Sequence, residues 1–415
     1  MRRQIKHGQS HASLLQDVSA SSVPSSRSRL NAIVVPAARP APGLQEVISL
    51  SASLSVPLVI LCSREAQIDL VAKQVADTSD ARALVIEVAE DYVLPDGAAQ
   101  ASAESAQAAC AGRSSDLSVK RNIGLLLGRL RGWDKILFID DDIRGFLPAD
   151  IERLAGCLDR HAVASMVSRH FPDNSVVCHA RRLAGLRQDV FVGGSVLGVD
   201  LQQPELSFFP DIYNEDWFFF ARQAAARDLP KIGEVQQMEY LPFADPQRAE
   251  DEEFGDLLAE GLYARFEATP DREFEDQLAL AARASYWQRF TEIRLKMIGE
   301  IQGRLSHAQY GTGVDHQTIE HAQESLRRAE SQASRISADL CVDFLGRWKE
   351  DNVRWREILK SSTTGLSERD ALTALGLTRW ISCGHDIKST SAGSGSSKPY
   401  QDLASAADDI LTRDN

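Results

Sequence analysis

Cysteine is scarce and unpatterned: the six residues, at 62, 110, 157, 178, 341 and 383, show no CxxC pair and no short repeated spacing. That excludes a zinc knuckle and a disulfide framework, and the thiols read as buried and reduced. Long apolar runs are also lacking. The longest, Val47 to Cys62, carries four serines and Pro57 and is too interrupted to span a bilayer. After the basic Met1-Arg-Arg-Gln-Ile-Lys6 the chain turns polar at His7 instead of entering an apolar signal core, so neither export nor a transmembrane segment is expected and the protein reads as soluble and cytoplasmic. Positive charge is in deficit. The 46 basic and 59 acidic residues give −13, which argues against a nucleic-acid backbone or an anionic lipid surface as the main partner.

Apolar material is sufficient: 415 residues, 43% of them hydrophobic, can bury a substantial core in two folded units. Residues 1–29, rich in Ser, Arg and Gln, read as a disordered tail. From about 30 to 245 strand and helix alternate: strand Ala32–Pro36, helix Leu44–Ser55, strand Pro57–Leu61, helix Glu65–Ala76, strand Ala83–Val88, helix Asp116–Leu130, the apolar run from Lys135, helix Ile151–Arg160 and strand Ala162–Val167. The sheet continues through Phe191–Val199, and Gly233–Tyr240 supplies an edge strand. That rhythm predicts an α/β unit with a mainly parallel sheet flanked by helices. Pro95–Ala111 has no firm pattern. Past Pro242-Phe-Ala-Asp-Pro246 the chain becomes helical, and residues 246–385 read as a helical region. Apolar residues from Phe274 to Ile301 recur at threes and fours, as in one long amphipathic helix, and a second helical segment covers about His316–Leu359. An antiparallel helical hairpin follows, packed on the sheet or against a second copy, so a homo-oligomer through these helices is an open option. Trp348 and Trp355 read as core, and residues 386–415 as a flexible tail.

The chemistry is concentrated in acids. Lys135-Ile-Leu-Phe-Ile-Asp-Asp-Asp142 is an apolar run that stops on three carboxylates, and in open α/β sheets ligands collect where such strands end. Closely spaced Asp oxygens suit Mg²⁺ or Mn²⁺, ions commonly shared with substrate phosphates, so a phosphate-bearing donor is the first expectation. The blander reading is an acidic strand end that caps the next helix. A second cluster, Asp211-Ile-Tyr-Asn-Glu-Asp-Trp-Phe-Phe-Phe220, sets Glu215 and Asp216 against large aromatics, and desolvation there pushes a carboxylate toward general-base character. The same residues also suit a helix N-terminus. Val192-Gly-Gly-Ser195 allows a close backbone approach.

In this order the segments resemble the GT-A glycosyltransferases, family 2 most closely, over about residues 30 to 240. The likeness rests on Ala32-Ile-Val-Val-Pro36 followed by Arg39 and Pro40, on Lys120-Arg-Asn122 before the acidic strand, on Asp140 and Asp142 as the two acids of a DxD element, on Gly193-Gly194, and on Asn214-Glu-Asp-Trp217 with Arg222. The resemblance implies a metal-dependent enzyme that moves a sugar from a nucleotide-sugar donor to a hydroxyl of an unidentified acceptor, with inversion. It implies metal binding by Asp140 and Asp142, donor contacts from Pro36, Arg39, Arg121, Asn122, Asp140, Asp141, Gly193 and Gly194, and catalysis by Asp216 with Glu215. Two departures stand out. No acid follows the second strand, where Cys62-Ser-Arg64 stands instead, and no histidine follows the second acidic cluster until His307. His179 could face donor phosphates but reads more simply as a hydrogen-bonded structural residue. Arg121, Arg129, Arg131, Arg181 and Arg182 are the candidate cations for an anionic donor. The competing readings are a retaining glycosyltransferase, a nucleotidyltransferase of similar fold, and a helical assembly protein without catalysis. Pro36-Ala-Ala-Arg-Pro40 lacks the glycines that the second of these usually brings.

Overall fold

The computed structural model describes residues 5–19, 29–107, 109–110, 113–308 and 315–384. The expected tail at 386–415 lies outside them. Ten strands form one sheet: β1 (Leu15–Asp17), β2 (Ala32–Ala37), β3 (Leu58–Cys62), β4 (Ala83–Glu87), β5 (Lys135–Ile139), β6 (Ile143–Arg144), β7 (Val163–Arg169), β8 (Val196–Asp200), β9 (Leu229–Gln237) and β10 (Trp380–Cys383). Their order is β1-β9-β7-β8-β5-β2-β3-β4-β10, with β6 paired to β9. Only β6, β8 and β10 run against the others. The result is an α/β fold with a central, mainly parallel sheet flanked by helices.

The apolar strands are continuous because both faces of the sheet are covered. Along β2, Ala32 and Val34 point into one core while Ile33, Val35 and Ala37 point into the other, and on β5 Ile136 and Phe138 part in the same way from Leu137 and Ile139. The helices that matter below are α1 (Leu117–Arg131), α2 (Val176–Leu183), α3 (Glu215–Phe219), α4 (Gln247–Ala268), α5 (Ala284–Ala308), α6 (His316–Arg335) and α7 (Ala338–Ser361). Among the described residues no helix is long and apolar enough to cross a membrane. The six cysteines are free, all buried but Cys110.

Several expectations change. The long helix from Phe274 is two, Phe274–Ala281 and α5. The segment from His316 breaks at Ile336–Ser337, where the Ser337 hydroxyl accepts from the Leu340 N–H and starts α7. Gln100–Gln107, undecided in sequence, is a helix held by Asp351 of α7, which accepts from the Ser102 N–H and hydroxyl, each at 2.7 Å. Trp348 and Trp355 are core residues. β9 is no edge, because β1 pairs with it in parallel, and β10 returns from beyond the helices to pair with β4. The described residues of 30–245 and 246–385 therefore belong to one compact unit.

The largest correction concerns residues 5–19, which are ordered where a disordered tail over 1–29 was expected. Their apolar content is low because their anchors are histidines. His11 Nε2 meets Glu260 at 3.0 Å and its Nδ1 meets Glu267 at 3.3 Å, both acids on α4, while the ring packs edge-on against Phe191, Trp217 and Tyr263. His7 Nε2 accepts from Arg294, which also forks onto Glu253 and reaches Asp256 at 2.6 Å. Burial alone would lower the His11 pKa, but Glu260 and Glu267 overcome it and hold it at about 10. His11→Ala should cost about 3 kcal/mol by taking the cation from Glu267 and the nearest one from Glu260, which keeps only His7 at 3.7 Å and the more distant Arg294. Because the folded pKa lies above the ordinary 6.5, the gap to wild type should be fullest below pH 6.5 and shrink as pH rises toward 10. Thermal melts of both proteins across pH 6–10 read this directly.

Candidate active site

At the C-terminal end of β5 the three aspartates divide their work. Asp141 faces back: its carboxylate accepts from the N–H groups of Ala38 (2.7 Å) and Arg39 (2.9 Å) and from the Arg39 side chain, so the middle acid fixes the loop after β2. Asp142 accepts from Gln237 Nε2 at 3.1 Å and pairs with Arg39 Nη2 at 2.9 Å. Asp140 takes both bonds of a fork from Arg121 Nη2, at 2.8 and 2.9 Å. Burial pushes the Asp140 carboxyl up to about 8 despite Arg121, and burial also raises Asp142.

Arg121 joins the two acidic segments. Buried on α1, it binds Asp140 with one nitrogen and Glu215 with the other, and its guanidinium lies over Phe209. A Cβ on Gly194 would sit 2.6 Å from the guanidinium carbon, so the missing side chain is the space Arg121 occupies. The Gly194 N–H in turn donates to Asp216 Oδ2 at 2.5 Å, and Trp217 N–H donates to Oδ1 at 2.8 Å. Both oxygens of Asp216 are thus oriented. Burial and the neighbouring Glu215 carry its pKa to about 7 against the pull of Arg121. Asn214 precedes it in the left-handed region, φ 61°, tied to Asp256 of α4.

These groups open on one cavity of about 730 Å³. Pro36, Arg39, Arg121, Asp140, Asp141, Asp142, Gly193, Glu215 and Asp216, all singled out in sequence, line it. Asn122 and Gly194 do not. Asn122 instead pins Phe209, donating to its carbonyl at 2.8 Å and accepting from its N–H at 2.9 Å. Of the candidate arginines only Arg121 reaches the cavity: Arg129 and Arg131 bind the carbonyls of Leu359 and Leu366, Arg181 binds that of Gly8, and Arg182 those of Gln188 and Asp189. His179 stacks on Phe171 and hydrogen-bonds Tyr240, with burial lowering its pKa to about 4, as befits a structural residue.

The lining has two sources. From the first half of the chain come the loops after β2, β3 and β5 and the start of α1, with the cations Arg39, Arg64, Arg113 and Lys120 beside the aspartates. Lys120 donates to the Ala37 carbonyl and the Ser63 hydroxyl, and burial lowers its pKa. From later segments come Asp173, Ser175, Gln188, Tyr213, Gln237 and the N-terminal half of α4 as far as Glu260, joined by Ser10 and His11 of the N-terminal segment. Sequence reasoning missed Asp173, Tyr213, Arg248, Ser10 and His11. Two of them stood in segments with a signal, Asp173 in the turn Phe171-Pro-Asp-Asn174 and Tyr213 within the acidic cluster Asp211–Phe220.

The donor set at the end of β5 suits a hard divalent cation, because Asp140 and Asp142 offer closely spaced carboxylate oxygens to the cavity. Among the described residues, however, no three His, Cys, Asp or Glu side chains converge tightly enough to hold a metal by themselves. A cation here would need oxygens from a ligand.

No family model matches the chain, and no curated protein sequence does. Among solved structures that match is the mannosyltransferase PcManGT from Pyrobaculum calidifontis in complex with GDP-Man and Mn²⁺; it is 11% identical, the alignment covers 80% of this chain and 88% of that one, and the TM-score is 0.36. A likeness so distant carries no functional argument.

Proposed function

We propose that this protein is a metal-dependent glycosyltransferase of the GT-A kind that transfers a sugar from a nucleotide-sugar donor to an acceptor hydroxyl with inversion. The observation that carries the reading is the junction through Arg121: the acids at the end of β5 and the oriented, high-pKa Asp216 of α3 face one cavity and share one buried guanidinium. The order of sequence elements supports it independently.

In this reading Asp142, with Asp140, would hold Mg²⁺ or Mn²⁺, which would supply positive charge for a departing diphosphate. Arg39, half-exposed and pairing with Asp141 and Asp142, is the solvent-facing cation on the donor side. Asp216 takes the proton from the acceptor hydroxyl as that oxygen bonds to the anomeric carbon, and the pair of electrons in the old glycosidic bond leaves with the nucleoside diphosphate. Glu215, committed to Arg121, orients the helix start rather than moving a proton.

The test is purified protein with Mn²⁺ and a panel of nucleotide sugars, scoring nucleoside diphosphate release. One or more donors should be turned over, chelation should abolish turnover, and Asp142→Ala should lower it at least about a hundredfold. No response across the panel with metal present rejects the reading. Proton NMR of the anomeric signal in the product separates inversion from retention.

A further inference from the structure

Asp173 and Tyr213 stand out in the cavity because neither has a side-chain hydrogen bond or ion pair among the described residues, whereas the acids around them are committed. Glu252 accepts from Arg248 and the Val176 N–H, Asp256 from Ser175 and Asn214, and Glu260 from His11. Tyr213 is held rigidly: α4 approaches its backbone so closely at Gly255 that a Cβ there would lie 2.1 Å from the Tyr213 carbonyl oxygen. Asp173 lies within electrostatic range of Tyr213 and Asp216, and also of Asp142 at the end of β5, so it stands between the two acidic segments. The cavity thus presents, with the proposed base, a carboxylate and a phenol that have no side-chain partner among the described residues.

The cations nearby are already paired with acids. Arg248 spends its charge on Glu252 at 2.5 Å and stacks over the Tyr240 ring, and His11 is enclosed by Glu260 and Glu267. An anionic group entering here would meet Asp173 with no free counter-charge, whereas hydroxyl protons would find an acceptor in Asp173 and a donor and acceptor in Tyr213. We propose that the part of the cavity lined by Asp173 and Tyr213 is the acceptor subsite and that it takes an uncharged polyhydroxylated acceptor, a sugar or sugar alcohol, in preference to a phosphorylated or carboxylated one. The assignment of the subsite to an acceptor rests on the glycosyltransferase reading; the ligand class does not.

Saturation-transfer NMR on the full chain with two matched pairs tests it: methyl glucoside against methyl glucuronide, and glycerol against glycerol 3-phosphate. The neutral member should bind at least tenfold more tightly in one or both pairs. Asp173→Ala should weaken that binding at least tenfold, with an unchanged melting temperature. Should that variant fold poorly, Tyr213→Phe, which removes only the hydroxyl, should weaken it at least threefold. An anionic member that binds as tightly as its neutral partner, no binding in either pair, or variants that bind normally would each overturn the proposal. Donor turnover by the unmodified chain is scored separately, so neutral binding without turnover condemns the enzyme reading alone, and turnover with an anionic preference condemns this one alone.

Discussion

Asp216→Asn is expected to lower acceptor transfer about a thousandfold while leaving the fold intact. The amide keeps the oxygen that accepts from Trp217 or Gly194 but has no free basic lone pair for a proton. Wild-type kcat/KM should rise with pH through an apparent value near 7, the pKa that burial and Glu215 impose on Asp216, and level off above it. That limb should vanish in the variant. Stability moves in the opposite sense. The folded pKa lies above the ordinary 3.8, so between about pH 4 and 7 the native state holds a proton that the unfolded chain has released, and this group's contribution to stability falls as pH rises across that window. Asparagine removes the slope but sets its NH2 against one of the two N–H donors, so the variant should remain folded, with a melting temperature that no longer carries this group's fall between about pH 4 and 7, while being nearly inactive. A variant that keeps a tenth of the activity, or a wild-type pH profile flat between 6 and 8, rejects Asp216 as the base.

Much of the sheet was legible because a strand buried on both faces is an unbroken apolar run, and β2, β3, β4 and β5 are such runs. The positions of the acids at strand and helix ends were legible for the same reason: apolar runs stop where they stand. Partnerships were not. Nothing in Asp140-Asp-Asp142 says that the middle acid turns back to the β2 loop, since that depends on which neighbour offers N–H groups in three dimensions. Nothing in Lys120-Arg-Asn122 distinguishes the arginine that enters the cavity from the asparagine that pins Phe209. The N-terminal segment was illegible because its anchoring energy is ionic, and a reading based on apolar content has no term for histidines that find buried carboxylates some 250 residues away in sequence. Breaks in long helices hide similarly, since a serine cap inside an apolar rhythm looks like any exposed polar position.

Arg121 is the residue on which fold and site depend together, and Arg121→Leu should be the most damaging substitution of a residue outside the proposed chemistry. Leucine fills some of the volume but leaves Asp140 and Glu215 buried without their shared cation, a loss of about 3–5 kcal/mol. Lysine is no remedy, because one ammonium cannot fork onto two carboxylates on different segments. Adding Asp140→Asn and Glu215→Gln to Arg121→Leu should recover much of the urea midpoint by removing the stranded charges, but not the activity, since α3 is then no longer tied to the end of β5 and Asp140 is lost to the proposed metal site. Gly194→Ala offers a route to the same state without altering any charge: its methyl would occupy the guanidinium's place, 2.6 Å from the central carbon, and displace the group that orients both acids. The two single variants should therefore share a phenotype, lowered stability and transfer reduced at least about a hundredfold, and a double variant should be little worse than Arg121→Leu alone. Full additivity would mean that the glycine and the arginine act separately, and the junction would lose its claim to organise the site.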